Sequence, residues 1–134
     1  IRISDDPFVY LDKNYIKMLG GIRESLSATA GLNGRKRVVQ IHGHLKNIAS
    51  EAIEAAKSRA DIIFIDNGNI ADADRVIRVL KEKALRPQVR IAFAGGVRLS
   101  DLERIKLLDI DIVDVGRAIV DAPLLDMRME VENG

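Results

Sequence analysis

The chain has 134 residues, of which 47% are hydrophobic and 31% charged; this composition is typical of one folded domain with a hydrophobic core and excludes a disordered polypeptide. Lys and Arg total 21 against 20 for Asp and Glu, so the net charge of +1 excludes the strongly basic surface of a nucleic-acid or anionic-membrane binder. The absence of cysteine excludes disulfides and thiolate metal sites.

Short apolar runs alternate with longer amphipathic ones along the chain. Such alternation predicts a parallel sheet built from βα units. In chain order, the pattern predicts a strand at 7–11, a helix at 14–30, a strand at 38–41, a helix at 45–60, a strand at 61–66, a helix at 69–85, a strand at 89–94, a helix at 99–108, a strand at 110–115 and a short helix or extended tail at 122–131.

Two of the predicted helices carry local signals. In 14–30, the helical spacing of apolar residues is interrupted by Gly20 and Gly21. In 99–108, Ser100 is the expected N-cap and Glu103 its partner in a capping box.

Domain organisation and location follow from what the sequence lacks. No linker or low-complexity segment divides residues 1–134, so we predict one domain. No apolar run approaches the roughly 20 residues that span a bilayer, and the N-terminus lacks a signal-peptide pattern; we expect a cytoplasmic protein without membrane partners. The first residue is Ile1 rather than Met, which indicates a processed chain or a fragment of a longer one.

Gly95 and Gly96 directly follow the predicted strand 89–94. In parallel α/β domains, ligands bind at the carboxyl ends of the strands. A residue without a Cβ lets a phosphate approach the main chain, and a helix beginning near Ser100 would add its positive end. The alternative is that the two glycines form only a tight turn.

A second glycine site follows the next predicted strand. Gly116 would give another close approach to the main chain, and Arg117 would add a guanidinium group for an anion. Neighbouring strands that both end in glycine are typical of phosphate sites in α/β barrels. The sequence therefore predicts a phosphate site at these strand ends.

Four stretches in order resemble the C-terminal barrel portion of the quinolinate phosphoribosyltransferase family, the carboxylating nicotinate-nucleotide pyrophosphorylases. They are LDKNYIKMLGGIRESL, ADIIFIDNG, IAFAGGVRLSDLERI and DIDIVDVGRAIVDAPLLDMRMEV. The family's Asp-Asn, Gly-Gly, Val-Gly and Ala-Pro-x-Leu-Asp elements fall at 66–67, 95–96, 115–116 and 122–126. The resemblance implies an α/β fold with a TIM-like barrel; because a closed barrel needs roughly 200 residues or more, we expect a partial barrel, half of a type II phosphoribosyltransferase.

The resemblance also implies an activity in NAD biosynthesis. Such enzymes combine quinolinate with phosphoribosyl pyrophosphate and Mg²⁺, and release pyrophosphate, CO₂ and nicotinate mononucleotide. Asp66 would bind the ribose hydroxyls or the Mg²⁺, and the glycines would cradle the 5′-phosphate. The candidate site comprises Lys13 and Asp66 as catalytic residues, Asp66 also as the Mg²⁺ ligand, and Asn14, His42, Asn67, Gly95, Gly96, Gly116 and Arg117 as residues that bind substrate or phosphate.

The chain departs from the family pattern near this site. Residues 12–15 read Asp-Lys-Asn-Tyr where the family has Lys-Asp-Asn-His, and residues 40–42 read Gln-Ile-His in place of Glu-Val-Glu. Two acids expected near the metal and the sugar are therefore absent. We expect the isolated chain to be weakly active or inactive, and a homo-oligomer or a missing barrel half to complete the barrel.

Two other functions remain open from the sequence. In one, the fold is kept as a non-catalytic phosphate-binding or assembly module. In the other, the chain is a sugar-phosphate aldolase or isomerase barrel in which Lys13 forms a Schiff base or transfers a proton. His42 and His44 are two residues apart, but without a third ligand at clear spacing we interpret them as polar loop residues.

Overall fold

The computed structural model describes residues 6–32, 34–43 and 46–115 of the chain. Its five strands form one sheet in the order β1-β2-β3-β4-β5, and every neighbouring pair is parallel. The strands are β1 (Phe8–Leu11), β2 (Lys36–Ile41), β3 (Ile62–Asp66), β4 (Arg90–Ala94) and β5 (Ile112–Val113). Each overlaps a predicted strand; β2 begins two residues before its predicted start at 38, and β5 is shorter than predicted.

The helices connect successive strands. They are α1 (Lys13–Leu19), α2 (Ile22–Ala28), α3 (Ile48–Lys57), α4 (Ile70–Glu82) and α5 (Leu102–Ile105), with 3-10 turns at Arg86–Gln88 and Leu99–Asp101. The predicted helix 14–30 is two helices, because Gly20 and Gly21 have φ values of 98° and 143° that end one and begin the next. No helix among the described residues has both the length and the apolar character to cross a membrane.

The two faces of the sheet carry separate hydrophobic clusters. The larger cluster joins the inward sides of all five helices to one face of the sheet, including Val39, Ile63 and Phe93. The smaller cluster contains residues of the strands alone among the described residues: Val38, Ile62, Phe64, Ala92, Ala94 and Ile112, with Phe8 and Tyr10 packed against them. Parallel strands in sequential order with every helix on one face form an arc of a βα barrel, which confirms the predicted fold class.

The segment after Gly96 differs from its prediction. A 3-10 turn begins at Leu99, and the carboxylate of Asp101 accepts a hydrogen bond from Arg98 N at 2.9 Å. The expected capping box of Ser100 and Glu103 is therefore wrong, because the N-cap is Arg98, two residues earlier, and Asp101 is the acid of the box. The α-helix that follows has four residues, so the dipole expected to assist an anion here is small.

The amino ends of the strands are fixed by ionic hydrogen bonds. Asp61 precedes β3, and its carboxylate accepts from Arg37 N at 2.8 Å. Asp111 precedes β5, and its carboxylate accepts from Ile91 N at 2.8 Å and from the buried Arg86 at 2.8 Å. These contacts hold neighbouring strands in register at the edge opposite the carboxyl ends.

Candidate functional site

The carboxyl ends of four strands bring together, at one edge of the sheet, those predicted site residues that the structure describes. Lys13 begins α1 directly after β1, and His42 follows β2. Asp66 ends β3 and pairs in register with Ala94, the last residue of β4. Gly96 lies two residues beyond that pair, so the strand ends predicted to bind a sugar phosphate are neighbours.

Gln40 links three of these strand ends. Its Oε1 accepts a hydrogen bond from Lys13 N at 3.2 Å, and its Nε2 donates to Asp66 Oδ2 at 2.9 Å. Lys13 N can only donate, so the orientation of the amide is fixed and its NH₂ group faces the carboxylate. In the sequence, Gln40 was noted only because it replaces an acid of the family pattern. That replacement was the one sequence signal that residue 40 belongs to the site.

Tyr10 lies beneath this edge on the strand-only face of the sheet. Its ring stacks on Phe64, with centroids 5.7 Å apart and an interplanar angle of 12°. Burial, followed by the negative charges of Asp66, Asp12 and Asp114, raises the pKa of Tyr10 to about 12. The phenol therefore stays protonated well above neutral pH, and its hydroxyl lies near the acids at this edge of the sheet.

Gly95 and Gly96, which the sequence treats alike, have different surroundings. Gly95 has a φ of 105°, and a Cβ there would lie 2.8 Å from the carbonyl carbon of Asn67 and closer still to Gly68 N. Gly96 has a φ of 77°, and apart from its two chain neighbours no atom of the described residues lies within 4 Å of the position its Cβ would take. The missing side chain of Gly95 is required by loop packing, whereas at Gly96 the main chain is open to a ligand.

Asn67 holds its own loop. Its Oδ1 accepts from Asn69 N at 2.9 Å, and its Nδ2 donates to Asp72 Oδ2 at 2.8 Å. Asn69 is the N-cap of α4 and accepts from Asp72 N. The side chain of Asn67 is thus already bonded within the β3–α4 connection, and this contact does not direct it toward a substrate.

A cavity of about 260 Å³ opens beside the ends of β1 and β2. Lys13, Asn14, Gln40 and His42 line it together with Glu51 of α3. Glu51 is 2% exposed, and its carboxylate accepts from the main-chain N–H groups of His42, Gly43 and Lys46 at 3.0–3.2 Å. The cavity brings together three predicted site residues, and Glu51 shapes its wall by fixing the β2–α3 loop.

The other predicted site residues fall outside the described part of the chain. Gly116, Arg117, His44 and the tail at 122–131 lie there, so their predicted roles stay predictions. Among the described residues, no group of three or more His, Cys, Asp or Glu side chains could hold a metal ion. Asp66 supplies one carboxylate, and one of its oxygens accepts from Gln40.

A family profile matches nearly the whole chain. The profile described as "Quinolinate phosphoribosyl transferase, C-terminal domain" matches residues 2–130. The chain belongs to this family. The resemblance read from the Asp-Asn, Gly-Gly and Val-Gly elements is therefore confirmed.

This quinolinate phosphoribosyl transferase domain is similar to curated proteins over nearly its whole length. The nicotinate-nucleotide pyrophosphorylase (carboxylating) of Dictyostelium discoideum is 25% identical over 131 residues, which cover 98% of this chain and 42% of that protein. A probable nicotinate-nucleotide pyrophosphorylase (carboxylating) of Archaeoglobus fulgidus is 25% identical over 130 residues, or 97% of this chain and 48% of that protein. The chain spans less than half the length of these relatives.

Solved structures show the same fold. The nicotinate-nucleotide pyrophosphorylase of Francisella tularensis superposes with a TM-score of 0.69 at 21% identity, covering 87% of this chain and 38% of that chain. NadC from Streptococcus pyogenes gives a TM-score of 0.67 at 23% identity, covering 84% of this chain and 37% of that chain. The arc of five strands therefore corresponds to a little over a third of each of these chains.

Proposed function

We propose that this domain forms the phosphoribosyl-binding edge of a phosphoribosyltransferase and binds phosphoribosyl pyrophosphate or a related sugar phosphate. The names of the similar proteins support nicotinate-nucleotide pyrophosphorylase as the activity of the complete barrel, with quinolinate as the acceptor. The chain covers less than half of those proteins, so the complete reaction requires groups beyond this chain.

The main chain at Gly96 carries this proposal. The residue has a left-handed φ of 77°, lies two residues beyond the Asp66–Ala94 pair, and has open space where a side chain would be, as far as the described residues extend. A phosphate oxygen can approach such a main chain closely enough to accept hydrogen bonds from its N–H groups. Asp66, at the neighbouring strand end, would then accept hydrogen bonds from the ribose hydroxyls of the same ligand.

The remaining groups would contribute charge. Loss of pyrophosphate leaves a ribose with oxocarbenium character, and fixed charges near this centre stabilise it. Lys13 is exposed at the end of β1 and would attract the anionic substrate. Mg²⁺ commonly binds through substrate phosphates with few protein ligands, so we propose that it enters with the pyrophosphate group.

A non-catalytic binding module is the second candidate, and Gln40 favours it. The neutral amide of Gln40 bonds to Asp66 where the family pattern has an acid, which reduces the negative charge available near the ribose. An aldolase mechanism receives less support, because Schiff-base lysines are activated in desolvated pockets, whereas Lys13 is exposed. Pyrophosphate release on addition of quinolinate and phosphoribosyl pyrophosphate would separate catalysis from binding.

Calorimetric titration with phosphoribosyl pyrophosphate and Mg²⁺ tests the phosphate site. Gly96→Asp should abolish saturable binding, because Asp tolerates a left-handed φ but fills the open space with a negative charge. Gly34→Asp is the matched control: Gly34 has a φ of 76° and equally open surroundings, but it lies before β2 at the opposite edge of the sheet. No binding by the folded native chain, or equal loss in both variants, would contradict the proposal.

The two edge strands of the sheet indicate that a further segment pairs with them. β1 pairs with β2 alone among the described residues, and β5 pairs with β4 alone, so both outer edges of the sheet offer main-chain groups for further pairing. We propose that another barrel segment or a second copy continues the sheet. Light scattering of the purified chain distinguishes self-association from a monomer that needs a separate segment.

A further inference from the structure

Gln40 has an unusual position for a neutral side chain. It lies on β2 between the two strands whose ends carry Lys13 and Asp66, and it hydrogen-bonds to both. The contact with Lys13 N satisfies a main-chain donor in the first turn of α1, which has no partner within the helix. The contact with Asp66 makes this carboxylate an acceptor from a fixed NH₂ group.

A fixed NH₂ group changes what Asp66 can bind. The Nε2 of Gln40 lies 2.9 Å from Asp66 Oδ2, so a partial positive charge occupies one side of the carboxylate. A divalent cation takes several oxygen ligands and is favoured by a second acid beside the first, whereas Gln40 presents a donor at this position and leaves Asp66 one oxygen without it. The described residues supply no group of three or more potential metal ligands around Asp66.

A hydroxyl ligand has the opposite requirement. It donates one hydrogen bond and needs an oriented acceptor, which the second oxygen of Asp66 provides while Gln40 holds the first. We propose that Gln40 is a positioning residue that directs Asp66 toward the hydroxyl groups of a bound sugar phosphate and prevents a divalent cation from binding to this carboxylate. The sugar part rests on the proposed function; the metal part does not.

The substitution Gln40→Glu separates the two contacts of this residue. A glutamate keeps an acceptor for Lys13 N, so the end of α1 remains bonded. Toward Asp66 it replaces a donor with an acid, and two carboxylates at this distance favour a shared cation or proton. The variant should therefore gain a cation site at Asp66 without losing the cap of α1.

Mn²⁺ alone, followed by electron paramagnetic resonance on the full chain, tests the metal part. We expect the native chain and Asp66→Asn to bind Mn²⁺ equally weakly, and Gln40→Glu to bind at least about tenfold more tightly, as is typical when groups around a metal site change. Adding Asp66→Asn to Gln40→Glu should abolish this gain. Gln88→Glu, the same substitution at an exposed site before β4, is the matched control and should behave as the native chain.

Two results would overturn the metal part. If Asp66→Asn weakens Mn²⁺ binding by the native chain, Asp66 already binds the cation despite Gln40. If Gln40→Glu folds, as judged by circular dichroism, and binds no more tightly than Gln88→Glu, the identity of residue 40 does not control the metal.

Ribose 5-phosphate without metal tests the sugar part. Gln40→Met removes both hydrogen bonds without adding charge, and should weaken this ligand about as much as Asp66→Asn does. Equal affinity in native chain and Gln40→Met would overturn the positioning role. If the native chain does not bind ribose 5-phosphate at all, the proposed function fails, and the Mn²⁺ measurements still decide whether Gln40 excludes metal.

Discussion

The main chains of Gly68 and Gly95 are in contact where the loops after β3 and β4 meet. Gly68 N donates to Ala94 O at 2.8 Å, and a Cβ on Gly68 would lie 3.0 Å from the carbonyl carbon of Gly95 and nearer to its oxygen. Both glycines have a positive φ. Each therefore has neither the space nor the backbone conformation for a side chain, and their contact sets the spacing of the two loops.

Alanine at either glycine should destabilise the domain strongly. The left-handed conformation costs about 1–2 kcal/mol for a residue with a Cβ, and overpacking adds about 1–3 kcal/mol. Gly68→Ala and Gly95→Ala should lower the free energy of unfolding by this sum in urea denaturation. Gly96→Ala and Gly34→Ala have the backbone strain of a positive φ without the steric overlap. If either lowers the free energy of unfolding as much as Gly68→Ala does, this explanation is wrong.

The contact between Gly68 and Gly95 also indicates what sequence reasoning could not find. The strands were predictable because 62–65 and 91–94 are continuous apolar runs bounded by charged residues or glycine, which suit a strand buried on both faces. The pairing of loops 27 residues apart has no comparable local signal. A glycine that packs against another loop and one that faces a ligand, such as Gly95 and Gly96, look the same in sequence.

Buried polar groups were predictable only in part. Glu51 falls on the same face of α3 as Ile48, Ala52 and Ala55, and a charged residue in an apolar stripe is a sequence signal of a special role, although Glu51 was not among the predicted site residues. Its partners are main-chain N–H groups of a loop, whose position depends on the tertiary fold. The contact of Asp111 with Arg86 likewise depends on the tertiary fold, because the two residues are 25 positions apart in the chain.

The raised pKa of Tyr10 predicts a loss of stability at high pH. The pKa is about 12 in the folded chain against 10.0 for an ordinary tyrosine, so the folded state holds the phenol proton more tightly. The resulting stabilisation is complete below pH 10.0 and is lost as the pH rises toward about 12. Urea denaturation across this range should show a steeper decline for the native chain than for Tyr10→Phe.

Tyr15→Phe provides the control for Tyr10, since Tyr15 is 51% exposed and the chain has two tyrosines. In this variant, the absorbance of tyrosinate reports Tyr10 alone and should rise only near pH 12. A transition of Tyr10 near pH 10.0 in the folded variant would show that burial and the nearby acids do not act on it.

Even the conservative substitution Arg86→Lys should destabilise the domain. Its guanidinium donates to Val89 O at 2.6 Å, to Asp109 O at 2.7 Å and to Asp111 Oδ2 at 2.8 Å, and the residue is 8% exposed. A lysine cannot reach three acceptors in these directions, and the carboxylate of Asp111 would lose its charged partner and keep only the bond from Ile91 N. Arg86→Lys should lower the free energy of unfolding by about 2–4 kcal/mol.

Arg90→Lys is the control for Arg86, because Arg90 is exposed at the start of β4, near the same edge of the sheet. Its effect should stay within about 0.5 kcal/mol, as is usual for exposed substitutions. Similar losses for the two variants in urea would mean that the network around Arg86 contributes no more than a surface charge.

Glu51 should be essential for the shape of the β2–α3 loop. Its carboxylate accepts from three main-chain N–H groups, and Glu51→Gln would place an NH₂ group against one or more of these donors. Hydrogen bonds to a charged acceptor are stronger than neutral ones, so the free energy of unfolding should fall by about 2–4 kcal/mol. Urea denaturation checks this loss, with Glu82→Gln at the exposed end of α4 as the control.

Hydrogen exchange then separates a local effect of Glu51 from a global one. The measurement is made at a urea concentration well below the unfolding midpoint. The amides of His42, Gly43 and Lys46 should exchange faster in Glu51→Gln than in the native chain, whereas the amides of β3 should exchange at the native rate. Because His42 lines the cavity beside Lys13, this loosening should also weaken any ligand that contacts both residues. Unchanged protection of the three amides would mean that the loop keeps its shape without the carboxylate, and that Glu51 does not form the wall of the cavity.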